Sequence, residues 1–345
     1  MSIAIDKENR LFSLNTAHTT YQLFADDNGF VRHLYYGRSI GSFDMRYTEY
    51  YSDCGFSPNP GQMHTQRDFS LDTRPQEYTG CGIGDFRISC ISLTGGDGSY
   101  SADFRYVGFA VLDGKYPIPG LPASYDNGGE CETLRIDLKD NASGLELVLY
   151  YGVFAEKDMI TRCAVLRNGG DGSIRLYKAA SACLDLPFGK WDMIHFQGRH
   201  CMERMPERAP VPHGVLTVGS DRGTSSHQHN PFAILAAPET CEEFGQCYGA
   251  MLVYSGNFKI EVAERYYIPY RSLIPEGCDN LIVAGKTISC ESQAAGGLRC
   301  MPCAMAMGQA AGVAAALAVT NGCTPENINI DKLQTILREK GAILD

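Results

Sequence analysis

Along most of this chain apolar and polar side chains alternate in short runs, the period at which successive residues of an extended strand face opposite sides. Residues 21–24, 31–36, 86–93, 103–112, 133–138, 145–154, 160–167 and 174–181 keep that alternation or run fully apolar, and each reads as a strand. Turn signals separate them: Asp27-Asn28-Gly29, Gly95-Gly96-Asp97-Gly98, Asp113-Gly114, Asp126-Asn127-Gly128-Gly129 and Asn168-Gly169-Gly170-Asp171-Gly172. Gly, Asn and Asp tolerate the left-handed backbone that tight connections between antiparallel strands need. Up to about Val262 no convincing amphipathic helix and no repeat of fixed period interrupts the pattern. The expectation for residues 1–263 is a mainly β unit, a large antiparallel β-supersandwich.

Near Glu264 the pattern changes. Residues 280–285 read as an apolar strand closed by Gly285, followed by a loop and then by a helix from about residue 303 to 320. That helix carries Gly308, Ala310, Ala311, Gly312 and Ala314 to Ala316, so one flank is nearly bare and suited to close approach by a sheet or a ligand. Asn321-Gly322 should stop it, and residues 331–340 read as a short surface helix. Residues 264–345 are therefore expected to be a small α/β fragment of a dinucleotide-binding fold.

Composition narrows the function classes. The 345 residues exceed what one hydrophobic core holds. Thirty Lys and Arg against forty Asp and Glu give a net charge of −10 with no basic block, which argues against nucleic acid and anionic membranes as partners. The opening MSIAIDKENR lacks the marks of a secretory leader, so a cytoplasmic address is the expectation, and fourteen cysteines then read as reduced thiols. The window 301–319 approaches the ~18–20 apolar residues of a membrane span. Its Ala, Gly and Gln309 point instead to a buried helix packed on a sheet.

Several segments imitate chemistry. GCGIG at 80–84 alternates glycines but neither follows an apolar strand nor opens a helix, and AGKT at 284–287 would need its first phosphate-loop glycine where Asn280 stands. CMPC at 300–303 has half a zinc knuckle's spacing without a second pair, and His227 with His229 lacks a third ligand. The only tryptophan, in Lys190-Trp191-Asp192-Met193, sits between a carboxylate and a lysine, a trio that suits sugar stacking and acid chemistry. It is expected in a loop, with a structural role for Trp191 at least as well supported.

Longer motifs are more specific. DCGFSPNP (53–60), FSLDTRPQEYTGCGIGDFR (69–87), DFRYVGF (from Asp103), PGLPASY (from Pro119), ETLRIDLKDNASGLELVLYYGVF (from Glu132), ITRCAVLRNGG (from Ile160), Glu203-Arg204, SDRGTSSHQHNPF (220–232) and VYSGNF (from Val253) follow one another in order. Residues 5–262 thereby resemble the N-terminal β-supersandwich domain of family 36 glycoside hydrolases, the bacterial α-galactosidases acting on raffinose and melibiose. The resemblance implies a retaining mechanism with two aspartates. Both belong to a (β/α)₈ barrel of about 250 residues that follows the sandwich, and the chain after Glu264 is far shorter, so the expectation is a chain inactive alone. Ile194-His195 departs from the nucleophile signature that KWDM resembles, and the nucleophile is not assigned to Asp192. The resemblance also implies that the sandwich lends loops to a sugar site and mediates homo-oligomer contacts, and it places Asp53 near an α-galactosyl hydroxyl as acceptor. Further strands are implied after VYSGNF, so exposed strand edges are expected.

The last residues resemble something else. YYIPYRSLIPEGCDNLIVAGKTIS (266–289), Arg299, Met301-Pro302 and MAMGQAAGVAAALA (305–318) are similar to the C-terminal end of FAD-dependent oxidoreductases of the fumarate reductase and glucose-inhibited division type. That resemblance would put Gly285, Gly308, Gln309 and Ala310 against the flavin. The G-x-G-x-x-G half that grips the pyrophosphate is not in this sequence, so FAD is expected to bind weakly or not at all. Three readings follow: an α-galactosidase-like protein of carbohydrate metabolism, an FAD-dependent oxidoreductase with an accessory sandwich, or a non-catalytic sugar-binding or assembly module.

Overall fold

The computed structural model describes residues 2–49, 69–71, 74–85, 87–121, 123–186, 189–212, 214–254, 256–263, 270–275, 277–285 and 301–342. Its contacts divide the chain into two units, Met1–Glu264 and Arg265–Asp345. The first is a large antiparallel β-supersandwich.

Strands β1 (Ile3–Asp6), β2 (Leu11–Asn15), β3 (Thr19–Ala25) and β4 (Val31–Arg38) form one antiparallel meander. After β5 (Ile91–Gly95), a second meander follows from β6 (Arg105–Asp113), β7 (Cys131–Lys139), β8 (Leu145–Phe154) and β9 (Met159–Asn168). Strand β10 (Ile174–Ala179) returns to pair with β5. Alternation decides which face is covered: in β8, Leu145, Leu147, Leu149, Tyr151 and Val153 are buried, and they share one core with Leu134 and Ile136 of β7 and with Phe12, Leu14, Tyr21 and Leu23 of the first meander. Each such side chain contributes roughly 1.5–3 kcal/mol by leaving water.

At the centre of this core lies a carboxylate. Glu77 is fully buried and accepts hydrogen bonds from the hydroxyls of Tyr21 on β3 (2.7 Å) and Tyr151 on β8 (2.7 Å). His33 Nδ1 on β4 lies 2.9 Å from it, and Arg162 Nη2 on β9 donates at 2.9 Å. Burial alone would raise its pKa, but the Arg162 charge, His33 and the Tyr21 hydroxyl outweigh that and hold the carboxyl down at about 2. Four strands of two sheets thus converge on one anion.

The remainder of the unit is a second layered structure. Strands β11 (Asp192–Arg199), β12 (Met202–Pro210), β14 (His229–Ala236) and β15 (Cys247–Met251) make a sheet in the order β12-β11-β14-β15, and β13 (Val215–Ser220) pairs with β16 (Phe258–Ala263) as a two-stranded ribbon. Met193, Val218 and Ala233 are buried between them, with Leu216, Leu235, Ile260 and Val262 packed alongside. Strands β12 and β15 are sheet edges, and β12 is exposed at nearly every residue.

The second unit is helical among its described residues. Helix α1 (Met301–Asn321) packs on α2 (Ile330–Glu339) through Ala314, Leu317, Ala318, Leu333 and Leu337. Gly322, at φ +62°, ends α1, with the Cys323 N–H returning to the Ala318 carbonyl. Two expectations need correcting here. Residues 281–284 are irregular backbone rather than strand, tied by the Val283 N–H to the Leu273 carbonyl. Helix α1 is not a buried helix on a sheet: it is long and apolar enough to cross a membrane by length and composition, and only 22% of residues 303–321 are buried.

Candidate functional site

Asp53 lies outside the described residues, but the flanks of its segment are described, and they meet. Arg32, 2% exposed on β4, donates from Nη2 to Glu49 at 2.7 Å and from Nε to the Pro75 carbonyl, while Arg74 Nη1 reaches the same Glu49 carboxylate at 3.2 Å. Burial lowers the Arg32 pKa, and Glu49 and Asp26 offset part of that cost. A second clamp follows. Arg87 pairs with Asp85 and Asp185 and donates to the carbonyls of Leu71 and Arg74, and Gln76 donates to Asp85 at 2.6 Å. Arg74, Asp85 and Arg87 of the motif that starts at Phe69 are thus engaged in holding loops to the sandwich. Gly80 belongs to the same construction: a Cβ there would stand 2.3 Å from the Ala102 carbonyl oxygen. GCGIG is a close backbone crossing, sealed by the Cys81–Ala102 bridge, and not a phosphate cradle.

The described surface offers a polar pocket assembled from SDRGTSSHQHNPF and Glu203-Arg204. It measures about 520 Å³ and is lined by Glu203, Arg204, Ser225, Ser226, His227 and Asn230. Its first wall is the β11–β12 hairpin. Both ladders around β11 slip register near Gln197, and Gly198 is required there because a Cβ would meet the Met202 carbonyl at 2.3 Å. Cys201 and Arg204 adopt left-handed backbone at φ +65° and +60°. For residues other than glycine that conformation costs on the order of 1–2 kcal/mol each. The second wall is the loop entering β14, tied to the hairpin by the Gly198 N–H donating to the Gln228 carbonyl.

Within the pocket the hydrogen-bonding groups are incompletely used. Glu203 Oε1 accepts from the Cys201 N–H at 3.0 Å and Ser226 Oγ accepts from the Gln228 N–H at 2.9 Å. Arg204 makes no ion pair with a described residue. Asn230 Oδ1 and the neighbouring His229 Nδ1 are buried without a partner among the described residues. Among the described residues the pocket holds a single carboxylate, Glu203, and glycoside hydrolysis uses two.

Other candidates fall elsewhere. KWDM is not wholly in a loop: Asp192 and Met193 open β11, with Met193 fully buried. Asp192 accepts from Arg208 Nε at 2.7 Å, and Arg208 also binds the carbonyls of Ala237, Pro238 and Thr240, so this carboxylate anchors a loop. Trp191 packs on Tyr248, ring centroids 5.6 Å apart. His229 starts β14 whereas His227 stays in the loop, and no group of three metal-ligating side chains occurs among the described residues. Of the CMPC cysteines, Cys300 lies outside the described residues and Cys303 is half-buried on α1.

The proposed flavin contacts do not form a cradle among the described residues. Gly308 and Gln309 are exposed on α1, with nothing within 4 Å of a Cβ placed at Gly308. Ala310 is packed into the helix pair. Gly285, at φ +77°, approaches Ala304. The sequence missed Asn230 as a site residue and the strain at Arg204, because both become visible only when hairpin and loop are brought together.

Comparison with known proteins found two family models that match this chain and overlap over residues 248–274. The model of the FAD dependent oxidoreductase family matches residues 248–337. The bifunctional α-galactosidase/sucrose kinase AgaSK of Mediterraneibacter gnavus is 44% identical over 274 residues, 79% of this chain and 29% of that protein. The α-galactosidase AgaA of Geobacillus stearothermophilus is 37% identical over 265 residues, 76% of this chain and 36% of that protein. Among solved structures, the galactosidase domain of AgaSK superposes with a TM-score of 0.73 at 44% identity, covering 76% of this chain and 36% of that one. An AgaA variant of Geobacillus stearothermophilus in complex with raffinose superposes with a TM-score of 0.70 at 37% identity, covering 73% and 35%. The chain spans about a third of the length of the relatives it matches. With the model of the glycosyl hydrolase family 36 N-terminal domain matching residues 29–274, the chain belongs to that family.

Proposed function

We propose that this protein serves carbohydrate metabolism as the sandwich of an α-galactosidase, contributing to hydrolysis of terminal α-galactosides such as raffinose and melibiose, and that the chain alone does not hydrolyse them. The observation that carries this reading is the extent of the match: α-galactosidase relatives align along the sandwich, and the residues that follow match a different family. Asp53 contributes in this reading as a hydroxyl acceptor, borne on a segment whose roots are fixed by Arg32, Glu49 and Arg74. The test is hydrolysis of an aryl α-galactoside by the purified chain. No rate above buffer is expected; a rate that survives Asp53→Ala and Asp192→Ala separately would overturn the claim of inactivity.

The match of the C-terminal unit favours one additional measurement. The exposed Gly308 and Gln309 give a flavin no enclosed site, so protein dialysed against FAD is expected to stay colourless. Retained flavin absorbance would support the oxidoreductase reading instead.

A further inference from the structure

We propose that the pocket between the β11–β12 hairpin and the loop entering β14 is a binding site for a neutral saccharide. This goes beyond the preceding reading, because it concerns what the chain binds as it stands rather than what it hydrolyses.

The argument starts from the kinds of group present. The Arg204 guanidinium only donates hydrogen bonds, the Glu203 carboxylate only accepts them, and the Ser226 hydroxyl and Asn230 amide do both. Hydroxyl groups donate and accept as well, so neighbouring hydroxyls on a sugar ring satisfy such a mixed lining. A phosphate or sulfate would accept from Arg204 but would be repelled by Glu203 in the same pocket. An apolar ligand would leave Asn230 Oδ1 without a partner. The unpartnered Asn230 Oδ1 is an acceptor withheld from solvent, the kind of atom that requires a partner in a folded protein. Left-handed backbone at Arg204, maintained against its cost, aims in the same direction. The size of about 520 Å³ lies within the ~300–1,000 Å³ range of small-molecule sites. With no Phe, Tyr or Trp among the described lining residues to stack on a ring face, affinity should be weak, on the order of millimolar.

Titration calorimetry of the full chain with raffinose tests this, with inorganic phosphate as the anionic control. Saturable raffinose binding is expected, with Arg204→Ala and Asn230→Ala each weakening it by about 10-fold while the unfolding transition stays in place. Glu203→Gln, which keeps shape and removes charge, serves as a second variant should either alanine variant misfold; it should weaken raffinose binding without creating phosphate binding of comparable strength. Three outcomes would overturn the proposal: no raffinose binding at concentrations on the order of 50 mM, phosphate binding in place of raffinose, or raffinose binding indifferent to all three substitutions. Hydrolysis is read separately, so a chain that binds raffinose but leaves it intact meets both expectations, and one that hydrolyses it without using this pocket fails both.

Discussion

The two units solve the same problem of burying apolar surface to different degrees. In the sandwich, facing meanders supply each other with a covering layer, and side chains such as Phe12, Leu134, Leu147 and Tyr151 are almost fully removed from water. In the C-terminal unit, α1 packs along one side on α2, Tyr270 and Ile328 among the described residues, while Met305 remains 74% and Val319 83% exposed. A secondary element with apolar residues on several sides needs more than one neighbour, and a pair of helices provides one. The difference teaches that complete burial depends on opposing layers, and that a long apolar helix is no guarantee of a core.

The units can be followed separately, because the single tryptophan, Trp191, lies in the sandwich and the long helices lie in the other unit. Tryptophan fluorescence and helical circular dichroism should therefore give distinct unfolding curves. The largest expected effect is from Glu77→Gln, which leaves Arg162 buried beside a neutral amide. It should destabilise the sandwich by about 3–5 kcal/mol and leave the helical signal in place. The pH dependence follows from the same group. The folded pKa of Glu77, about 2, lies below the ordinary 4.5, so its stabilisation is complete above pH 4.5 and is lost as pH falls through 2. Acid titration of the fluorescence midpoint should show that loss, and Glu77→Gln should flatten it in this window.

Next in size, Leu337→Ala should cost roughly 2–4 kcal/mol on the helical curve only, since Leu337 is 4% exposed in the helix pair. A shift of the fluorescence curve instead would mean that the units unfold together, which would break the comparison. Asn329→Ala removes the cap on α2, where the Asn329 side chain accepts from the Lys332 N–H at 2.9 Å, and should cost about 1 kcal/mol in the same helical signal. Smallest of all, Val319→Lys should change stability by less than about 0.5 kcal/mol while raising solubility. A large loss there would show that the exposed flank of α1 is covered in solution.

Legibility in the sequence followed the physics of each element. Strands β7, β8 and β9 stood out because one face is core and the other is not, so burial writes a period of two into the residues. Strand β12, MERMPERAP, carries no such imprint: it is an edge strand exposed along nearly its whole length, so solvent imposes no alternation on it. Residues 280–285 are apolar enough for a strand but find no pairing partner among the described residues, and apolar runs without a ladder do not become sheet. The end of α1 was clear because Gly322 acts locally.

The candidate site was legible only in pieces. Glu203-Arg204 and the segment around His227 could be singled out from motifs, but they are distant in sequence and become one pocket through the register of β11 with β12 and β14. Glu77 was hidden inside a motif, because nothing local says that a glutamate will be fully buried or that four strands will bring it Tyr21, His33, Tyr151 and Arg162.

The sequence by itself determined the alternation that makes the sandwich, the turns that divide it, the change of pattern near Glu264 and the family motifs, because each of these is encoded within a few neighbouring residues. Tertiary structure alone decided which carboxylates are buried, which loops are clamped, which polar atoms of the pocket remain unpaired and how much of α1 stays exposed. Those outcomes depend on long-range strand pairing and on what packs opposite each face, and neither is a property of any short stretch of chain.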